Sequence, residues 1–93
     1  MDRSKKLDSL KGQVFKVIYL KEDNNSTLNI YLDSLYIQLK GIEADDDCLQ
    51  NNLKFNSIVN TIAYLKTNDF TFDQCKREIF KCMNYLKELA NEL

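Results

Sequence analysis

The chain of 93 residues has no histidine, no proline and no tryptophan, and only two glycines. Without histidine, a Ser-His-Asp or Cys-His nucleophile system cannot be assembled, nor can a Cys₂His₂ or His-carboxylate metal site. Gly12 and Gly41 stand alone, so no glycine-rich phosphate loop of the GxGxxG or Walker type is present. The missing prolines remove the strongest chain breakers and favour long uninterrupted elements. Long apolar runs are also lacking. The stretch 14–20 (VFKVIYL) is interrupted by Lys16 and is too short to cross a bilayer. The opening MDRSKKLDSLKG lacks the apolar core of a secretory signal. Three cysteines, an odd number without a signal, argue against a disulfide framework and for a cytoplasmic, reducing setting.

What is present belongs to an ordinary folded globule: 44% of residues are apolar and 29% charged. The length suits one domain spanning 1–93, which buries only about 60–65% of the surface its unfolded chain exposes. A net charge of −1 gives no global electrostatic reason for binding nucleic acid or a membrane. Charge is nevertheless uneven. Residues 1–21 carry six Lys/Arg against two Asp, and residues 22–47 carry seven Asp/Glu against Lys40 alone. The richness in Asn, Lys and Ile is what an AT-rich genome encodes, which points to a bacterium or phage.

The clearest element is the last. Thr71 and Gln74 have the spacing of a capping box, with Phe70 and Cys75 where a hydrophobic staple sits. From there Phe72, Cys75, Ile79, Cys82, Met83, Leu86, Leu89, Ala90 and Leu93 fall on one helical stripe, predicting a helix over 71–91. Phe55, Ile58, Val59, Ile62 and Leu65 predict a helix over 47–66, either bent near Asn51-Asn52 or preceded by a separate short turn at 48–53. Leu28, Tyr31, Leu32, Leu35, Leu39 and Ile42 predict a helix over 27–41, capped by Ser26 or Thr27 and ended by Gly41. Leu7, Leu10, Val14, Val17 and Ile18 predict one over 4–21 with Ser4 as its cap, despite Gly12, which costs about 1 kcal/mol relative to Ala. The expected fold is all-α, a small antiparallel four-helix bundle. The alternative is α+β, with a β-hairpin at 13–40 packed on two C-terminal helices, because that stretch is rich in β-branched and aromatic residues.

The candidate chemistry is thin. Cys75 and Cys82 lie on the apolar stripe, where a free cysteine acts as a small hydrophobe. A thiolate site with Cys48 would need a fourth ligand, and no CxxC spacing supports it. Glu43, Asp45, Asp46 and Asp47 lack the register of a calcium loop and read as capping and solvation, or as an acidic contact patch. The expectation is therefore a non-enzyme without metal or cofactor. Arg3, Lys5, Lys6, Arg77 and Lys81 form a candidate basic patch, extended by Lys11 and Lys87. It supports an alternative reading as a small nucleic-acid-binding regulator, disfavoured by a pI near 5.3.

Surplus apolar residues are more telling. Ile30 and Ile37 stand opposite the core stripe of their helix, while Phe15, Tyr19 and Phe80 lie off theirs. A second apolar face points to a partner, so Phe15, Tyr19, Ile30, Tyr36, Ile37 and Phe80 are the candidate protein interface. The expected function is that of a non-catalytic accessory factor or inhibitor that covers a partner protein's surface. The expected partner is another protein or a second copy of the chain, with no membrane involved, and the acidic run would steer the encounter.

Overall fold

The computed structural model describes residues 3–93, and every regular element in them is an α-helix. These are α1 (Arg3–Glu22), α2 (Leu28–Asp45), α3 (Asp47–Gln50), α4 (Leu53–Thr67) and α5 (Phe72–Glu92). The β-hairpin alternative at 13–40 does not form, because that stretch is the second half of α1, a turn and the first part of α2. In the turn, Asn24 takes φ of 50°, a left-handed conformation that asparagine tolerates better than most residues. Thr27 occupies the N-cap position of α2 without capping it. Its hydroxyl donates instead to Asn25 Oδ1 at 2.6 Å. Gly41 does not end α2, which runs on to Asp45. Ser4 lies inside α1 rather than ahead of it.

The helix expected over 47–66 is two elements. Asp46 caps the four-residue α3 by accepting from Cys48 N, and Asn52 caps α4 by accepting from Phe55 N at 3.0 Å. Two short polar side chains therefore satisfy amide donors that a continuous helix would have paired internally. The break also sorts two leucines, since Leu49 is buried and Leu53 is fully on the surface. At the other end of the chain the capping box forms as its spacing predicts. Gln74 N donates to Thr71 Oγ1 at 3.1 Å, and Thr71 N donates to Gln74 Oε1 at 2.9 Å.

The four long helices pack as a closed square. α1 meets α2 and α5, and α4 meets α2 and α5, leaving α1/α4 and α2/α5 as diagonals. Polar contacts show that neighbours run antiparallel. Arg3 at the start of α1 binds Asp46 beyond the end of α2, and Lys66 near the end of α4 reaches Asp33 in α2 at 3.1 Å. Lys54 at the start of α4 meets Glu88 at 3.1 Å and also Glu92, at the end of α5. The Lys21 ammonium near the end of α1 sits 4.6 Å from the Phe70 ring just before α5.

The interior is apolar throughout. Leu7, Leu10, Val14 and Val17 from α1 face Cys75, Ile79, Cys82, Leu86 and Leu89 from α5, with Phe55 the largest fully buried side chain. Among the described residues no polar or charged side chain is buried. Phe72, Met83 and Ala90 pack at the edge of this core, whereas Leu93, assigned to the stripe by its spacing, is exposed beyond the end of α5. Tyr31 closes the α1/α2 edge by donating its hydroxyl to the Gln13 carbonyl at 2.6 Å, and its partial burial raises its pKa.

Candidate interaction surface

The six residues of the candidate interface do not form one patch. Phe15 and Tyr19, one turn apart on α1, pack edge to face with ring centroids 5.2 Å apart. Phe80 comes across from α5, its ring 6.2 Å from that of Phe15. The three rings form a cluster over the α1/α5 seam, and Tyr19 (55%) and Phe80 (45%) remain largely open to solvent. Aromatic side chains at 5–6 Å hold one another in place, so little side-chain entropy remains to be lost on docking. Lys76 and Asn84, one turn either side of Phe80 on α5, give the cluster a polar rim.

Ile30 (69% exposed) and Ile37 (70%) lie elsewhere, on the face of α2 turned away from buried Leu32, Leu35 and Leu39. Because α2 is diagonal to α5, this face is separate from the aromatic cluster. Tyr36 joins neither. It is half-buried beside α4, with the Lys66 ammonium 4.5 Å from its ring centroid.

The charged patches are partly consumed within the molecule. Glu43 accepts from Lys40 at 2.9 Å, and Asp46 is held by Arg3 while capping α3. The Arg3 guanidinium holds the Asp46 carboxyl below the usual carboxylate range, outweighing the opposing effect of burial, with a lesser contribution from the Cys48 amide. Of the acidic run, Asp45 and Asp47 are the exposed members. Of the basic residues, Arg3 is engaged with Asp46, and Lys81 meets Glu78 at 2.9 Å. Lys5 and Lys6 lie in the first turns of α1, whereas Arg77 is in the second turn of the antiparallel α5. Roughly ten residues or more of helix, about 15 Å at 1.5 Å per residue, separate the two groups along the bundle. The five cations therefore do not make a continuous stripe.

Arg77 instead borders an open groove of about 330 Å³ between α4 and α5, beside Asn60, Tyr64, Phe70 and Gln74. Sequence reading missed this groove because, although α4 and α5 are consecutive, which side chains line the open side of their seam is set by how the two helices are rotated against each other in the fold. Exposed Tyr64 was the one signal available: it lies on α4 away from that helix's buried stripe.

Of the three free thiols, Cys75 and Cys82 lie in the core and Cys48 is exposed. Burial pushes Cys75 and Cys82 up to about 11, with nearby Lys21 and the Thr61 hydroxyl, respectively, only partly offsetting it. Among the described residues, no group of three or more Cys, Asp or Glu side chains is arranged to hold a metal ion. No described helix is long and apolar enough to cross a membrane. No protein-family model, curated protein or solved structure matches this chain.

Proposed function

We propose that the protein is a non-catalytic binding module, an accessory factor or inhibitor that works by covering part of a partner protein's surface. The observation that carries this reading is the Phe15–Tyr19–Phe80 cluster, in which Tyr19 and Phe80 each pack on Phe15 over the seam of two helices and both stay open to solvent. Clustered exposed aromatics are costly to leave in water and are the usual anchors of protein interfaces. The bundle's own core supports the reading, since none of its fully buried side chains belongs to the cluster: Leu, Ile, Val and Cys fill it with Phe55, and of the three rings only Phe15 packs against its edge. The favoured partner presents an apolar patch rimmed by carboxylates that can reach Lys76. Asp45 and Asp47, at the α2–α3 junction, remain available for steering the encounter. The proposed setting is the cytoplasm, where the three free cysteines stay reduced.

The test is affinity capture with the wild-type chain and with Phe80→Ser and Tyr19→Ser, read by mass spectrometry and then by titration of the purified partner. A partner retained by the wild type and lost by both variants, with their melting temperatures unchanged, supports the reading. Partners held equally by all three would overturn it. Binding of duplex DNA or RNA at low salt, lost on replacing Lys5 and Lys6, would instead favour a nucleic-acid regulator.

A further inference from the structure

The outer face of α2 carries a pattern that the monomer does not use. Ile30, Ser34, Ile37, Gly41 and Ala44 recur at alternating steps of four and three residues, which places them on one line along the helix. All five are exposed, and the line is opposite the buried leucines. Gly41 is the informative member. It lies inside α2, its φ is not positive, and a Cβ built on it would meet nothing within 4 Å. A glycine weakens a helix interior, and neither a turn nor a close neighbour within this chain calls for one here.

We infer that this face of α2 is where two copies of the chain pair, antiparallel about a two-fold axis. Size decides the direction. With the axis passing between residues 35 and 36, Ile30 packs over Gly41 of the second copy and Ile37 over its Ser34, each large side chain against a small one. A parallel pairing would set Gly41 against Gly41 and Ser34 against Ser34, leaving gaps between the helices. Charge agrees with the antiparallel arrangement. Asp33 and Lys40 lie on the same flank of the line, one turn from its centre on either side, so each approaches its opposite in the second copy. Within one chain Asp33 also meets Lys66 at 3.1 Å and Lys40 meets Glu43 at 2.9 Å, but the Asp33 and Lys40 side chains themselves stay 60% and 50% exposed, open to a second partner. One helix of 18 residues is about 27 Å long, so the contact falls short of the roughly 1,200–2,000 Å² of a stable interface. The dimer is accordingly weak and concentration-dependent. It is independent of the aromatic cluster, which it leaves free.

Sedimentation equilibrium from micromolar to near-millimolar protein tests the pairing. The expected result is a rise in mass towards two chains, lost in Ile37→Lys and retained in Phe80→Ala. Gly41→Ala is expected to raise the melting temperature while weakening association by about tenfold or more, because the added methyl fills the space that Ile30 of the second copy needs. These opposite signs separate a docking role from a structural one. Asp33→Lys weakens association, and adding Lys40→Asp restores it. A chain that stays monomeric throughout, or that dimerises equally well as Ile37→Lys, overturns the inference. A double charge reversal no better than the single one overturns the antiparallel register. A dimer abolished by Phe80→Ala and not by Ile37→Lys transfers the self-contact to the aromatic cluster and overturns it too.

Discussion

Arg3 and Asp46, 43 residues apart in the chain, are joined by two hydrogen bonds, Nε to Oδ2 at 2.6 Å and Nη2 to Oδ1 at 3.1 Å. The same carboxylate accepts from the Cys48 amide at 3.0 Å. One side chain thus ties the start of α1 to the junction where α2 stops and α3 begins. The basic start and acidic middle of the sequence, which look like two surfaces for outside partners, meet here on each other.

This pair gives the fold an acid-sensitive contact. The Asp46 pKa is depressed, mainly by Arg3, so its stabilising effect is present above the ordinary carboxylate range and is lost as pH falls through the depressed value. Arg3→Ala is expected to lower the urea midpoint at pH 7 and to change it little near pH 2. Asp46→Ala, which removes the cap as well as the ion pair, is expected to cost more than Arg3→Ala at pH 7. Urea titrations of the three chains at both pH values measure the difference.

Two of the side-chain caps, those of α4 and α5, offer a test of where the helices are punctuated. Thr71→Ala and Asn52→Ala each remove an oxygen that accepts from a first-turn amide, and each is expected to cost about 1 kcal/mol. Thr27→Ala, at the one N-cap position whose hydroxyl binds elsewhere, is expected to cost less. Denaturant unfolding checks the order. Equal losses at Thr27 and Thr71 would mean that the α2 start is capped in solution in a way the structure does not show.

The legibility of the fold follows the same division between local and tertiary causes. Thr71-x-x-Gln74 and the spacing of Cys75, Ile79, Cys82, Leu86 and Leu89 are visible in the sequence because capping and helix periodicity act within a few residues. The end of α2 is harder to read. Gly41 looks like a stop, yet a helix ends where partners for its last carbonyls and a change of direction are found, and Asp46 supplies the turn five residues later. The candidate interface was readable residue by residue as off-stripe apolar positions. Its division was not, because whether Phe15 faces Phe80 or Ile30 depends on α1 lying beside α5 with α2 on the opposite diagonal. No spacing along one chain encodes that choice of neighbour.

The cysteines settle what their spacing left open, and they do so through burial. With pKa values near 11, Cys75 and Cys82 are thiolate in roughly one molecule in ten thousand at pH 7, and they also lie out of reach of solvent. Alkylation of the native protein is expected to modify Cys48 alone, and all three thiols only after denaturant is added, which intact-mass spectrometry reads directly. Native modification of Cys75 or Cys82 as fast as Cys48 would refute the packing role. The raised values also predict an alkaline limit. The unfolded chain ionises these thiols first, near the ordinary value of 9, so their contribution is full below that pH and declines as pH rises towards 11. Cys82→Ala should therefore narrow the fall in melting temperature between pH 8 and 10.5 while lowering stability at pH 7, since the cavity it leaves is independent of pH. A fall of the same size in both chains would show that the thiol is ionising in the native state, and that its surroundings are wetter than the packed core described above.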